Sequence, residues 1–398
     1  MIDTAILSVA TLLPAVLSVP IAFFFLECVA GSWPAKRRQR VEMTIRPPVA
    51  ILVPAHNESA GIADTLRNIR AQMRDGDRLV VVADNCDDDT AQVARAEGAE
   101  VVERADKERR GKGYALDAGI QHLRQSPPRV VVFVDADCRL AADALDSLAA
   151  AAFSSNRPIQ ARNLQIAPTD AGLNLAVAEF AFLVKNQVRP LGLARLGLPC
   201  LMTGTGMALP WSLLEDASLA SGHQVEDMKF GLDLARAGHA PLFCPDALVT
   251  SLFPYSKEGA DTQRQRWEGG HLSIMRYAIG RLLSPSSWTR GSYAALLLDV
   301  TIPPLTLLVL VTLAIVPLAA IIAFLGIGLL PLVIAAANVA LLSVAVAASW
   351  LAHGRAVLPA RSLAQVPLYA ASKFKLYPKT LLAGNAVAWV RTDRTRHD

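Results

Sequence analysis

The sequence predicts an α/β fold: a mixed, mostly parallel sheet with helices on both faces, joined to about three transmembrane helices. Three observations predict it. Short apolar runs alternate with helical patterns between about residues 48 and 134, three of those runs end in acidic or polar residues, and a long stretch on either side of this region carries a single charge.

The first element is a membrane span. The chain has 398 residues, 53% of them hydrophobic, with a mean hydropathy of +0.34. Only Glu27 is charged between Ala5 and Ala30, and only Asp299 between Tyr293 and Ala352. At about 20 residues per helical span, the first stretch holds one span and the second holds two. They are placed near Thr11 to Leu26, Pro304 to Leu325 and Leu329 to Trp350, with Gly326-Ile327-Gly328 as the tight turn between the last two. A secretory signal would start with a basic n-region, which Met1 to Thr4 lacks. The basic run Lys36 to Arg40 puts the following residues in the cytoplasm by the positive-inside rule. Lys373, Lys375, Lys379, Arg391, Arg394 and Arg396 put the C-terminal tail on the same side.

The expected organisation is therefore an anchor over 1–32, a cytoplasmic catalytic domain over 33–275, an interfacial linker over 276–303, paired spans over 304–352 and a basic, partly amphipathic tail over 353–398. Within that tail Leu363 to Trp389, with Tyr369 and Tyr377, reads as an interfacial helix. The location expected is the inner membrane. The net charge is only +4, and much of the Lys and Arg flanks the spans, so the expected partner is membrane lipid and not nucleic acid. Five scattered cysteines with no C-x-x-C pair read as reduced thiols.

The domain begins with Val49 to Val53, a buried strand read as ending at Pro54. A helical pattern follows through Ile62, Leu66 and Ile69. Leu79 to Ala83 is the second strand and runs into Asp84; Thr90 to Glu97 is helical; Glu100 to Glu103 is a third strand; Lys112 to Leu123 is a helix; Val130 to Val134 is the next strand. This alternation gives a mainly parallel sheet, whose ligands sit beyond the carboxyl ends of its strands. No G-x-G-x-x-G follows the first strand and no G-x-x-x-x-G-K-[ST] occurs, so any nucleotide is held another way.

Those strand ends carry the candidate chemistry. Asp135-Ala136-Asp137 offers two carboxylates where a strand opens into a loop, a hard-oxygen pair suited to Mg²⁺ or Mn²⁺ and to a departing diphosphate. The bland alternative is turn and cap acids. Asp84 can accept hydrogen bonds from a nucleoside, or cap its own loop. Pro54, Ala55 and Glu58 form the opposite wall of such a site. Lys112, in Arg110-Gly111-Lys112-Gly113, brings a cation and close backbone approach to a diphosphate, or is simply a solvated helix start. Asp227 of Glu226-Asp227 is the candidate general base for an acceptor hydroxyl; a helix N-terminal acid explains the same letters equally well. Arg266 can pair with phosphate oxygens and Trp267 offers a flat face to a sugar or lipid, while a basic helix resting on the membrane is the alternative. Thr203-Gly204-Thr205-Gly206 is a polar turn that could line an acceptor cavity, and His223 is a weak assistant.

Taken together, Pro48 to His271 resembles the membrane-bound members of glycosyltransferase family 2, the group of cellulose, chitin and hyaluronan synthases and exopolysaccharide glucosyltransferases. The resemblance implies a nucleotide-diphospho-sugar transferase fold of the GT-A type. It matches Asp84 to the base-binding acid, Asp135 and Asp137 to the metal pair, Asp227 to the base, and Gln263, Arg266 and Trp267 to the Q-x-x-R-W signature. It implies inverting transfer of a sugar, with glucose the family-level choice, from a UDP-sugar with Mg²⁺ or Mn²⁺ bound.

Processive synthases usually carry more spans, so one sugar added to a polyprenyl-diphosphate-linked glycan or another lipid fits better, with polysaccharide assembly machinery as a further partner. A processive synthase and a non-catalytic membrane scaffold remain the alternatives. The scaffold predicts damaged motifs, yet Asp84, Asp135, Asp137, Asp227 and Arg266 all stand. A glycosidase reading of Asp137 and Asp227 explains neither the strand-end site nor the anchors, and a nucleotidyltransferase has no need of the Gln263 to Trp267 string.

Overall fold

The computed structural model describes residues 2–34, 46–168, 172–223, 225–254 and 257–365. The basic run Lys36 to Arg40, Gln224 and the expected interfacial helix beyond Gln365 lie outside the described residues. Helix α1 spans Ile2–Ser32. Then come β1 (Val49–Ala55), α2 (Ile62–Arg70), β2 (Arg78–Asp84), α3 (Thr90–Ala96), β3 (Glu100–Arg104), α4 (Lys112–Leu123), β4 (Val130–Phe133), β5 (Arg139–Leu140), α5 (Ala144–Ser155) and β6 (Ile159–Ile166). After these follow α6 (Leu173–Leu183), a π-helical turn Val184–Val188, α7 (Arg189–Arg195), β7 (Met207–Pro210), α8 (Glu226–Ala237), β8 (Leu242–Leu252), α9 (Lys257–Leu282), α10 (Gly291–Val300), α11 (Leu305–Phe324) and α12 (Leu330–Ser349).

The strands form one mixed sheet in the order β3-β2-β1-β4-β7-β6-β8-β5. Its first half is parallel; β7 lies antiparallel between β4 and β6, and β8 runs parallel to β6. Period-two alternation divides the side chains between two cores. Ile51, Val53, Val81 and Val132 face α2 and α5, where Ile62, Leu66, Ile69 and Leu148 bury the matching helical stripe. Leu52, Val80, Val82 and Val131 face Leu116, Ile120 and Leu123 of α4. Both faces of β1 are covered, which is why it reads as unbroken apolar sequence.

One sequence reading is corrected. β1 does not stop before Pro54 but continues through it to Ala55, paired with Val82 and Ala83 of β2. A proline is tolerated because the ladder to β4 has ended by then: its last register pair is Leu52 with Phe133, so the missing N–H of Pro54 costs no bond on that side.

Among the described residues, three helices are long and apolar enough to cross a membrane: Thr4–Ser32, Leu305–Phe324 and Leu330–Gly354. The turn between the last two contains Gly326 at φ +74°. The chain is therefore a multi-pass membrane protein by its helices. α1 packs on α11 and α12 through Ile21, Phe24, Leu308, Leu342 and Ala345, and on α6 through Val177 and Phe180. It also crosses the α6–α7 region at backbone distance, for a Cβ on Gly192 would lie 1.9 Å from the Glu27 carbonyl oxygen and one on Gly31 2.0 Å from that of Val188. Such approach is open only to glycine. Residues 276–303, drawn from sequence as a linker, hold the end of α9 and all of α10, and Tyr293, Leu296 and Leu297 are buried against Met228 and Leu232 of α8.

Candidate active site at the carboxyl ends of the strands

The loops after β1 and β2 are built to face each other. Asn57 and Asn85 both adopt left-handed backbone, at φ 55° and 52°, a region that asparagine enters more readily than most residues. Each then uses its side-chain oxygen as a strut: Asn57 Oδ1 accepts from the Asp87 N–H at 2.8 Å, and Asn85 Oδ1 from the Asp106 N–H at 2.8 Å. The Glu58 N–H donates to Thr90 Oγ1 at 2.8 Å, and His56 Nδ1 donates to the Asp84 carbonyl at 2.7 Å. Pro54 and Ala55 are the last residues of β1 on this wall.

Asp84 is buried at the end of β2. Its Oδ1 accepts from Arg104 Nη1 at 2.6 Å and from Asn85 Nδ2 at 3.0 Å. Neither bond uses Oδ2. Arg104, from the end of β3, also lies over the Tyr114 ring at 5.5 Å. Sequence reasoning missed Arg104, because it lies one residue beyond the strand as drawn and its partner is 20 positions away.

Asp135 and Asp137 stand just past β4, two strands over from Asp84 with β1 between them. An oxygen of each and Cys138 Sγ lie within 4.8 Å of one another. Burial pushes the Cys138 thiol up to about 12, and sulfur is a soft donor poorly matched to a hard cation, so the ligand chemistry falls to the two carboxylates. That donor set fits a hard divalent cation. Lys112, from the first turn of α4, forms an ion pair with Asp135 and donates to the Gly204 carbonyl at 2.7 Å. Burial alone would lower the Lys112 pKa, but the fields of Asp135, Glu226 and Asp227 outweigh it and the net shift is upward. Lys112 is therefore a fixed cation.

The polar turn Thr203 to Gly206 packs into this cluster. Thr205 Oγ1 accepts from the Asp135 N–H at 3.0 Å, and Gln160 Nε2 donates to the Thr205 carbonyl at 2.9 Å. Gly204 has φ +85°, and a Cβ there would lie 3.2 Å from both Asp227 Oδ2 and Lys112 Nζ. The turn thus presses backbone against the candidate base and the cation at once.

Glu226 and Asp227 open α8. Burial raises the pKa of both; Asp227 further raises Glu226, while Lys112 pulls each back. Arg266 of α9 lies in the fields of Glu226 and Asp135, and burial lowers its pKa. Trp267 packs its ring 5.7 Å from that of Phe182. Gln263 is 2% exposed, and its Oε1 accepts from Gln165 Nε2 at 3.5 Å. His223 is half-buried in the loop before α8, where burial lowers its pKa. A cavity of about 240 Å³ lies beside Glu226 and Asp227 among Leu116, Phe133, Met202 and Phe230.

The fold therefore gathers Lys112, Asp135, Glu226, Asp227 and Arg266 into one electrostatically coupled group, flanked by Asp137. Asp84 and the Pro54 to Glu58 wall sit on the neighbouring strands. Sequence reasoning also missed Lys185, on the π-helical turn, whose field is linked to Asp227. A signal was present, since Lys185 breaks an apolar run from Leu173 that otherwise carries only Glu179.

A mixed sheet of this order, with paired acids at the central strand end and a second acid pair opening a later helix, defines a glycosyltransferase-like α/β domain on a membrane anchor. Residues 47–270 match the family model described as glycosyltransferase like family 2; this is more than half of the 398 residues, and the chain belongs to that family. It is 36% identical over 104 residues to a 4,4'-diaponeurosporenoate glycosyltransferase of Staphylococcus aureus, covering 25% of this chain and 27% of that one. It is 31% identical over 102 residues to an uncharacterized protein of Methanocaldococcus jannaschii, covering 26% and 40%. The matches thus span less than half the length of either curated relative. Among solved structures, the mannosyltransferase PcManGT from Pyrobaculum calidifontis in complex with GDP-Man and Mn²⁺ aligns with a TM-score of 0.56 over 94% of this chain and 99% of that one, at 19% identity. This is a likeness of fold, and it extends over the membrane helices as well as the sheet.

Proposed function

We propose that this chain transfers a sugar, glucose by preference, from a UDP-sugar to a hydroxyl of a lipid-linked or glycan acceptor, with inversion, at the cytoplasmic face of the membrane. The observation that carries the reading is the convergence of Asp135, Lys112 and Asp227 beside the turn at Gly204, with Arg266 in the field of Asp135. In this reading Asp84 and the Pro54 to Glu58 wall hold the nucleoside. Asp135 and Asp137 hold Mg²⁺ or Mn²⁺, which supplies charge neutralisation for the diphosphate. Lys112 and Arg266 meet the remaining phosphate charge. Asp227, its pKa raised by burial, takes the proton of the acceptor hydroxyl as that oxygen attacks the anomeric carbon from the face opposite the leaving group. Glu226, its pKa raised to about 8 by burial and by Asp227, holds its proton near neutrality and leaves Asp227 as the charged member of the pair, and Gln263 and Trp267 bound the acceptor side. The nucleotide sugar and Mn²⁺ named for the solved mannosyltransferase support a divalent ion and an activated donor here.

The test is nucleoside diphosphate release by detergent-purified protein, UDP from a panel of UDP-sugars and GDP from GDP-mannose, with Mg²⁺ or Mn²⁺ and total membrane lipid as acceptor. Products are sized by mass spectrometry. The expected result is metal-dependent turnover that adds one sugar and falls by about 10²- to 10⁴-fold in Asp227→Asn. A ladder of products would replace this reading with a processive synthase. Turnover unchanged in Asp227→Asn would reject Asp227 as base, and no turnover with any donor would favour a non-catalytic scaffold.

A further inference from the structure

β6 carries three buried amides, Gln160, Asn163 and Gln165, on a strand whose other buried positions, Ile159 and Ala161, are apolar. A buried amide costs free energy unless its hydrogen bonds are met. Gln160 meets its own at both ends. Its Oε1 accepts from the Thr203 N–H at 2.8 Å, and its Nε2 donates to the carbonyls of Thr205 at 2.9 Å and Ala161 at 3.0 Å. Only 1% of its surface is exposed, so it stands behind the candidate site and not in it.

Gln160 thus grips the Thr203 to Gly206 turn on both sides of Gly204. Asn163 Nδ2 adds a bond to the Thr203 carbonyl at 3.0 Å. Gly204 and Gly206 both have left-handed backbone, and two glycines leave so short a turn little stiffness of its own, so its shape depends on what holds it. Of the uncharged side chains, only an amide offers an acceptor oxygen and two donor hydrogens together. The held turn reaches three groups of the site. The Gly204 carbonyl accepts from Lys112 Nζ at 2.7 Å, a Cβ on Gly204 would lie 3.2 Å from Asp227 Oδ2, and Thr205 Oγ1 accepts from the Asp135 N–H at 3.0 Å.

We propose that Gln160 is a positioning residue for the transfer step: it sets the turn at the place where Gly204 fixes Lys112 beside Asp227 and Thr205 fixes Asp135. This rests on the transferase reading above. Asp84 and the Pro54 to Glu58 wall stand on β2 and β1, across β4 from the turn, so Gln160 governs turnover more than it governs hold on the donor.

The test joins turnover to amide exchange on full-length protein in detergent. In Gln160→Met, a side chain of like length without the amide, kcat is expected to fall about a hundredfold, while the donor KM moves by less than about threefold. Gln160→Glu, which stays protonated when buried and so still accepts from Thr203 and donates to Thr205, is expected to recover most of that loss. Made on top of Lys112→Met, Gln160→Met is expected to cost less than about tenfold, because the turn then has no Lys112 to hold. Hydrogen–deuterium exchange, read with no donor present, is expected to quicken over residues 203–206 and at Asp135 while Val49 to Val53 of β1 stay protected. An unchanged kcat in Gln160→Met, a KM that rises as far as kcat falls, the full loss repeated in the Lys112→Met background, or unchanged exchange at Asp135 would each overturn the proposal. If Gln160→Met does not fold, Thr205→Val cuts only the bond to the Asp135 N–H, and the same split between kcat and KM decides. Since exchange needs no donor, an unaltered Asp135 beside intact turnover counts against the clamp alone, while quickened exchange in a protein that turns over no donor counts against the transferase reading alone.

Discussion

Arg189 donates from Nε to Glu27 Oε2 at 2.6 Å, across 162 positions of sequence, with both side chains buried. The same guanidinium binds Asp299. Glu27 and Asp299 are the two charges that interrupt the long apolar stretches, and each would be costly alone at the edge of a membrane. One arginine on α7 pairs with both, although Glu27 Oε1 is buried without a hydrogen-bond partner, and so ties α1 and α10 to the base of the domain.

Arg189→Met leaves two carboxylates buried without their partner. Removing one member of such a cluster costs about 3–5 kcal/mol, so a large drop in thermal unfolding midpoint in detergent is expected. The triple change Glu27→Gln, Arg189→Met, Asp299→Asn removes every charge together and recovers most of that loss. A midpoint unmoved by Arg189→Met would show that the cluster does not hold the domain.

Asp135→Asn and Asp137→Asn each remove one hard-oxygen ligand. Manganese titration followed by electron paramagnetic resonance is expected to show affinity weakened about tenfold or more in each. Cys138→Ser is expected to leave it unchanged, because a buried soft sulfur is a poor ligand for a hard cation beside two carboxylates. Equal loss in Cys138→Ser would make the sulfur a ligand.

Lys112→Met tests the electrostatics of the base. Burial raises the Asp227 pKa and Lys112 opposes that rise. A general base works only when deprotonated, so activity climbs as pH passes upward through its pKa. Without Lys112 the pKa rises further, and the ascending limb of kcat/KM moves to higher pH at saturating metal. Turnover near neutrality falls by about a hundredfold as the diphosphate loses a cation. An unshifted limb would place Lys112 on the donor alone.

Much of the site was legible because strand ends write themselves locally. A run such as Val130 to Val134 must be buried on both faces, so the polar residues that follow, Asp135 and Asp137, can only stand at its mouth. Asp84 follows from β2 in the same way. Arg104 and Lys185 were not legible in this sense: their meaning rests on Asp84 and on a cavity, both brought to them by the fold. The end of β1 was misplaced for a related reason. Proline forbids a hydrogen bond, but whether that matters at Pro54 depends on where β4 stops.

The sequence by itself determined the three apolar helices, the parallel half of the sheet and the residues that crown its strands, because hydrophobic periodicity and turn chemistry act over a few neighbouring residues. Only the tertiary structure decided that Gly204 presses on Asp227 and Lys112, that Arg189 answers both Glu27 and Asp299, and that Lys185 borders an aromatic cavity at the membrane boundary. Apart from Gly204 and Asp227, those relationships join residues 92 to 162 positions apart, or depend on cavities that several elements enclose together. A charge finds its partner through the packing of whole elements, and no local pattern encodes which one it will meet.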